Sequence, residues 1–162
     1  MTLNESLDFS KAPAKVKKAF LGVPDKILLR SGTKLYKFTD YPLVNPSGGI
    51  SEWWSFVVKT KLPSGLIAEG FRGSETAANR LGISHREYQK VRSAVSEQFN
   101  NNLHNSLLIV LMQDVWGFAG ITAGQPEFKN PAYANVYLIG GKGQLWIPGL
   151  TSSQVQELPS MA

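Results

Sequence analysis

The chain has 162 residues, 43% of them hydrophobic and 18% charged, which is enough apolar content to fill a core and too much for a disordered chain. It contains no cysteine, which excludes disulfides, thiolate metal sites and cysteine catalysis. The net charge of +5 sits wholly in residues 1–37, which hold eight Lys/Arg against Glu5, Asp8 and Asp25; residues 38–162 hold nine of each sign.

Such a basic first quarter suits an anionic partner (nucleic acid, phosphate or an acidic protein face), or else it is a solvated helix face. The length fits one domain spanning residues 1–162, with 1–24 as an N-terminal helical segment and 25–162 as the core. Met1 to Leu7 is polar and lacks the basic start and apolar run of a signal peptide. The longest apolar run, Leu107 to Met112, falls far short of the ~20 residues that span a bilayer. The expectation is a soluble protein of the cytoplasm, or one delivered into a target cell's cytoplasm, without a membrane-integral part.

In chain order, Ser10-Lys11-Ala12-Pro13 reads as a helix start with Ser10 as its cap, and Ala14 to Leu21 continues as an amphipathic helix carrying Val16, Ala19 and Phe20 on one side. Gly22-Val23-Pro24-Asp25 stops it. Lys26 to Arg30 is a short apolar stretch closed by the turn signal Ser31-Gly32, and Thr33 to Thr39 reads as a strand. After a Pro/Asn/Gly loop over residues 41–49, Trp53-Trp54-Ser55 leads into a strand-like Phe56-Val57-Val58. From Ser74 to Asn100 the pattern is helical. Ser74-Glu75-Thr76 and Ser84-His85-Arg86-Glu87 both look like helix starts, the second with capping-box spacing, and Gly82 separates them. Asn100–Asn102 breaks the pattern. Leu107 to Met112 and Val115 to Phe118 suggest buried strands, Gly120 to Ala134 a loop, and Asn135 to Ile139 with Gln144 to Ile147 a hairpin around Gly140–Gly143. Thr151 to Glu157 reads as a last short helix. The sum is an α+β fold: a compact, mostly antiparallel β core of roughly five or six strands, an N-terminal helix and an inserted helical hairpin.

Several chemistries lack their signatures. His85 and His104 stand far apart with no carboxylate at ligand spacing, so no metal site is expected. Neither phosphate-cradling glycine loop is present, nor Gly-x-Ser-x-Gly. One positive signal is Ala77 to Val91, a small residue on one helix, then the Gly82 turn and a second helix, which resembles a helix-turn-helix. Its second helix offers His85, Arg86, Gln89, Lys90 and Arg92 to phosphates or base edges, with Arg80 nearby. The competing reading is a plain helical corner.

Three further segments carry another resemblance. Leu35-Tyr36-Lys37-Phe38-Thr39-Asp40, then Ser51-Glu52-Trp53-Trp54-Ser55, then Val136 to Ile139 with Gln144-Leu145-Trp146-Ile147-Pro148, resemble in order the motifs of ADP-ribosyltransferase-type toxins and effectors. That resemblance implies NAD as a substrate, no metal, and transfer of ADP-ribose to a protein or nucleic-acid target. It implies Lys37, Gln144 and Glu127 as candidate catalytic residues, with Tyr36, Thr39, Ser51, Trp54 and Ser55 around the cofactor. A cation or donor suits the pyrophosphate and ribose, an aromatic wall suits the nicotinamide, and a carboxylate suits the oxocarbenium-like transition state. The chain departs from the pattern twice. Lys37 stands where Arg or His is usual, and Gln144 where the family places glutamate; an amide cannot supply the negative charge, which leaves Glu127 or Glu52 to do so. The alternatives are a nucleic-acid-binding protein, or a non-catalytic interaction protein on the same fold.

Overall fold

The computed structural model describes residues 1–92, 105–123, 125–126, 137–138 and 143–160. Among the described residues, three α-helices, α1 (Ala14–Ala19), α2 (Phe71–Leu81) and α3 (His85–Arg92), accompany eleven strands. Seven of these form the main sheet: β1 (Asp25–Leu29), β2 (Lys34–Thr39), β3 (Trp53–Phe56), β6 (Asn105–Leu111), β7 (Val115–Ile121), β10 (Gly143–Trp146) and β11 (Val155–Leu158). Two small ribbons pair β4 (Thr60–Lys61) with β5 (Ile67–Ala68), and β8 (Gln125–Pro126) with β9 (Tyr137–Leu138). The main sheet runs β1-β7-β10-β3-β2-β6-β11 with every neighbour antiparallel. The architecture is α+β, as expected from the sequence.

Two short connections decide the shape of that sheet. The link from β1 to β2 and the link from β6 to β7 each cross four positions in the strand order, about 19 Å in a flat sheet at ~4.8 Å per strand. Residues 112–114 cannot reach that far, since Leu111 to Val115 spans at most ~14 Å fully extended. The sheet therefore folds over on itself, and every one of the seven strands contributes to one inner apolar cluster, including Leu29 of β1 and Val155 of β11 from its two edges. The two links are clipped together: Asp114 accepts from the Ser31 N–H at 2.8 Å and pairs with Arg30 at 3.3 Å, while the Gly32 N–H donates to the Leu111 carbonyl at 2.7 Å.

Strand alternation divides the other face into two covered halves. On one, Phe9, Val16 and Phe20 of the N-terminal segment pack on Trp53, Phe118 and Trp146. On the other, Phe71 at the start of α2 packs on Tyr36, Phe38 and Leu108. The N-terminal segment is fixed further by Asn4, whose side chain donates to the carbonyls of Trp116 (3.1 Å) and Pro148 (2.8 Å), and by Lys26, whose ammonium donates to the carbonyls of Glu5 and Leu7.

Local details depart from the sequence reading for identifiable reasons. Asp8, not Ser10, caps the first turn, which is a 3-10 turn over Phe9–Lys11, and α1 starts after Pro13. Helix α2 begins at Phe71, three residues before Ser74, because the buried Phe71 ring anchors its first turn. Gly82 does end it, in the left-handed conformation (φ 72°) that frees glycine from strain, and Ser84 accepts from the Glu87 N–H at 3.0 Å to open α3. β3 stops at Phe56, and β7 continues through Gly120 to Ile121. The expected last hairpin does not form between its two predicted arms: β10 lies between β7 and β3, and β9 pairs with β8. Thr151–Glu157 is a single 3-10 turn followed by β11, because Val155 joins the inner core and the strand completes the edge of β6. The predicted Asn100–Asn102 break and the loop at 139–142 lie outside the described residues. No described helix is long and apolar enough to cross a membrane.

Candidate functional site

The site grows from the alternation of β2. Leu35, Lys37 and Thr39 point to the inner side, Tyr36 and Phe38 to the outer. Leu35 disappears into the core, but two residues further on the sheet nears its end and Lys37 meets a cavity of about 330 Å³. Thr39, Ser51 and Leu107 share its wall, and the loop after β2 supplies the rest through Tyr41, Pro42, Leu43, Asn45 and Pro46. That loop is shaped by Asn45, whose side-chain oxygen accepts from the Ser47 N–H (3.0 Å), the Ser47 hydroxyl (2.6 Å) and the Gly49 N–H (3.0 Å). Ile50 then plugs the loop's return into the core.

Lys37 is half-buried as a residue, with its ammonium withdrawn from bulk water. The ammonium donates to the Ser51 hydroxyl and lies 5.6 Å from the centre of the Trp54 ring. Trp54 cannot turn away, because its indole N–H donates to the Ser51 carbonyl at 2.8 Å. The same residue thus fixes both the aromatic floor and the hydroxyl partner. Burial pushes the Lys37 ammonium down from the ordinary 10.5 to about 8. The two ion pairs among the described residues, Arg30–Asp114 and Arg72–Glu75, are both elsewhere, so this buried cation has no carboxylate beside it there. No protein-family model, curated protein or solved structure matches this chain.

The structure thus brings together Lys37, Thr39, Ser51 and Trp54. It separates them from the other residues that the resemblance implied. Tyr36 and Ser55 face outward into a polar seam under the helices. There the Tyr36 hydroxyl lies 3.3 Å from the Ser74 hydroxyl, Ser74 meets His85 Nε2, Gln89 donates to Ser55 (3.4 Å) and the Tyr88 hydroxyl donates to Glu69 (3.0 Å). The His85 ring lies edge-on against Phe71 and Phe38, at 4.7 and 4.9 Å. Burial pushes the Tyr36 phenol up to about 12. Although Ser74 and His85 are in contact, Ser74 is wholly inaccessible, so the pair joins α2 and α3 to each other and to the sheet rather than meeting a substrate.

Gln144 occupies a third place. It shares its side of β10 with Trp146, opposite to Leu145 and Trp54, and its amide donates to the Ala19 carbonyl at the end of α1 at 2.9 Å. Lys37 and Gln144 therefore lie on opposite faces of the sheet. Glu52, an alternative carboxylate, is exposed and accepts from the Trp146 indole at 3.2 Å. Glu127 lies outside the described residues, as does His104. No described group of His, Asp or Glu residues could hold a metal ion.

The helix-turn-helix resemblance is met in outline by α2, Gly82 and α3, yet Tyr88 and Gln89 are buried and His85 is held among aromatic rings. These face the sheet, leaving Arg80 and Arg86 at least partly exposed; nothing is described of the side chains of Lys90 and Arg92. Of the basic N-terminal residues, Lys26, Arg30 and Lys37 bond within the chain, Arg30 at an exposed position, while Lys11, Lys15, Lys17, Lys18 and Lys34 are exposed without a described ion pair. The sequence reading missed Tyr41, Asn45 and Leu107 as site walls. The signal available for the loop was Asn45-Pro46-Ser47-Gly48, a turn sequence directly after a strand that carries a lysine toward the core.

Proposed function

We propose that this protein binds a small anionic ligand in the cleft over Lys37, with the ammonium as its charge partner. The single observation that carries this reading is a desolvated cation, held by a serine hydroxyl and an indole, that opens on a cavity and has no described counter-ion. A buried charge without a partner is costly, and a ligand that supplies the missing anion offsets that cost. At about 330 Å³ the cavity is at the small end of the range for such sites.

NAD, the substrate implied by the resemblance, remains one member of this ligand class through its pyrophosphate. ADP-ribose transfer is the weaker reading, because it would require Gln144 to act on a ligand from which the sheet divides it. The test is ligand-induced thermal shift and calorimetric titration with inorganic phosphate, ADP-ribose and NAD, together with nicotinamide release. At least one of the anions stabilises the wild type; Lys37→Met abolishes that effect and Gln144→Ala leaves it intact. Stabilisation that survives Lys37→Met would overturn the reading, and nicotinamide release lost in both variants would restore the transferase.

A second reading has its own observation: Lys11, Lys15, Lys17 and Lys18 are exposed on one short stretch without a described ion pair. A nucleic-acid or acidic protein partner there would bind with an affinity that falls steeply with salt.

A further inference from the structure

We infer that Lys37 is an amine nucleophile as well as a charge partner, and that the ligand class of its cleft is a short 2-oxo acid captured as an imine; the inference rests on the anion-binding reading and narrows it. Three features point this way. Lys37 lines a cavity of about 330 Å³, which gives a small carbonyl compound an approach to its side chain. It is held by a neutral hydroxyl, that of Ser51, and by no described carboxylate that would lock it as an ammonium. Pro42, Leu43 and Leu107 line the cavity with apolar groups, while Thr39 and Ser51 supply polar atoms. Burial adds to this, because a group titrating near 8 offers far more free amine at neutral pH than an exposed lysine does.

The steps balance without an outside oxidant or reductant. Lys37 first gives its proton to solvent, and the ligand then enters with its carbonyl toward the nitrogen and its carboxylate beside it. The free amine of Lys37 attacks the adjacent carbonyl carbon, and one N–H proton passes to the carbonyl oxygen, with the Ser51 hydroxyl placed to relay it. A proton from solvent then leaves with the carbinolamine hydroxyl as water while the nitrogen lone pair closes the C=N bond. The product is the protonated imine, a cation beside the ligand's carboxylate. A molecule with only the carboxylate makes the encounter but not the bond.

Glyoxylate is the probe, because reduction of its imine by sodium cyanoborohydride leaves a stable carboxymethyl group on the lysine. Peptide mass spectrometry of the wild-type protein compares the rate at Lys37 with the rates at exposed Lys15, Lys17 and Lys18, which serve as internal references. Labelling at Lys37 at least tenfold faster than at these three, and slowed at Lys37 alone by Ser51→Ala, is the expected result. Acetaldehyde, which has the carbonyl but no charge, is expected to lose that preference. Labelling at Lys37 no faster than at the exposed lysines overturns the inference. Acetate and phosphate, followed by thermal shift, separate the two readings. If they stabilise the wild type but Lys37 is not labelled preferentially, only the imine falls; if they do not stabilise it and the label is also absent, anion binding falls with it.

Discussion

Tyr36 and Lys37 are consecutive on one strand, and pleating sends them to opposite sides of it. On the outer side, the tyrosine joins Ser74, His85, Ser55 and Gln89 in a polar network closed over by two helices. On the inner side, the lysine brings an ionisable group to a cavity without a described acid. Both places bury polar atoms, but on the outer side most of them bond to one another. A buried hydrogen-bonded network rigidifies a fold, whereas a buried charge lining a cavity leaves an interaction for a ligand to complete. The helices therefore serve the architecture, and the proposed binding site is the Lys37 cleft.

The sharpest way to break this comparison is to cut the outer side. Tyr36→Ala removes a ring that is 1% exposed and stacks edge-on with Phe71 at 4.9 Å. It should cost about 3–5 kcal/mol in denaturant unfolding. Ser74→Ala is milder, at about 1–3 kcal/mol, because it leaves Tyr36 and His85 facing each other without the shared hydroxyl. If the seam is purely architectural, any Ser74→Ala protein that remains folded binds anions as the wild type does. A Ser74→Ala variant that unfolds normally yet loses ligand binding would move the site to the helices.

On the inner side the signs reverse. Lys37→Met relieves a desolvated charge, so stability should stay level or rise while anion affinity drops at least tenfold, about 1.4 kcal/mol. The pH dependence follows the same logic. The folded-state value of about 8 lies below the ordinary 10.5, so between those values the unfolded chain holds more protons than the folded one. Stability contributed by Lys37 is thus fully present above about 10.5 and is lost as the pH falls through 8. Anion binding runs the other way, weakening as the pH rises through 8. Melting curves at pH 7, 8, 9 and 10 for the wild type and Lys37→Met read both trends. Identical curves for the two proteins would remove the titration from Lys37.

Much of this contrast was legible in the sequence, and what was not has a physical cause. The alternating Leu35-Tyr36-Lys37-Phe38 and the aromatic Trp53-Trp54 identified β2 and β3 as the strands that matter. Gly82 and Ser84 marked the helical corner through local capping chemistry. The fold-over of the sheet was hidden, since it depends on which distant strands pair, and no local pattern encodes that β10 inserts between β7 and β3. For the same reason Gln144 looked like a companion of Lys37. One position of pleat puts its amide on α1 instead. The final segment misled because Thr151 and Gln154 do form a capping box, but on a single turn that Val155 then extends as a strand.

The smallest effect concerns a third electrostatic setting, the clip between the two crossing links. The Arg30–Asp114 pair is formed at 3.3 Å by side chains that are 75% and 40% exposed. Water already solvates both charges, so Arg30→Ala should cost no more than about 1 kcal/mol and lose even that in high salt. Asp114→Ala should cost somewhat more, because the same carboxylate also accepts from the Ser31 backbone N–H at 2.8 Å, and that bond holds the β1–β2 turn against the start of β7. A double-mutant cycle at low and high salt separates the two contributions. If Arg30→Ala proved as damaging as Tyr36→Ala, charge at this surface would matter to the fold far more than its exposure allows. The contrast between this solvated pair and the desolvated charge at Lys37 would then lose its reference point.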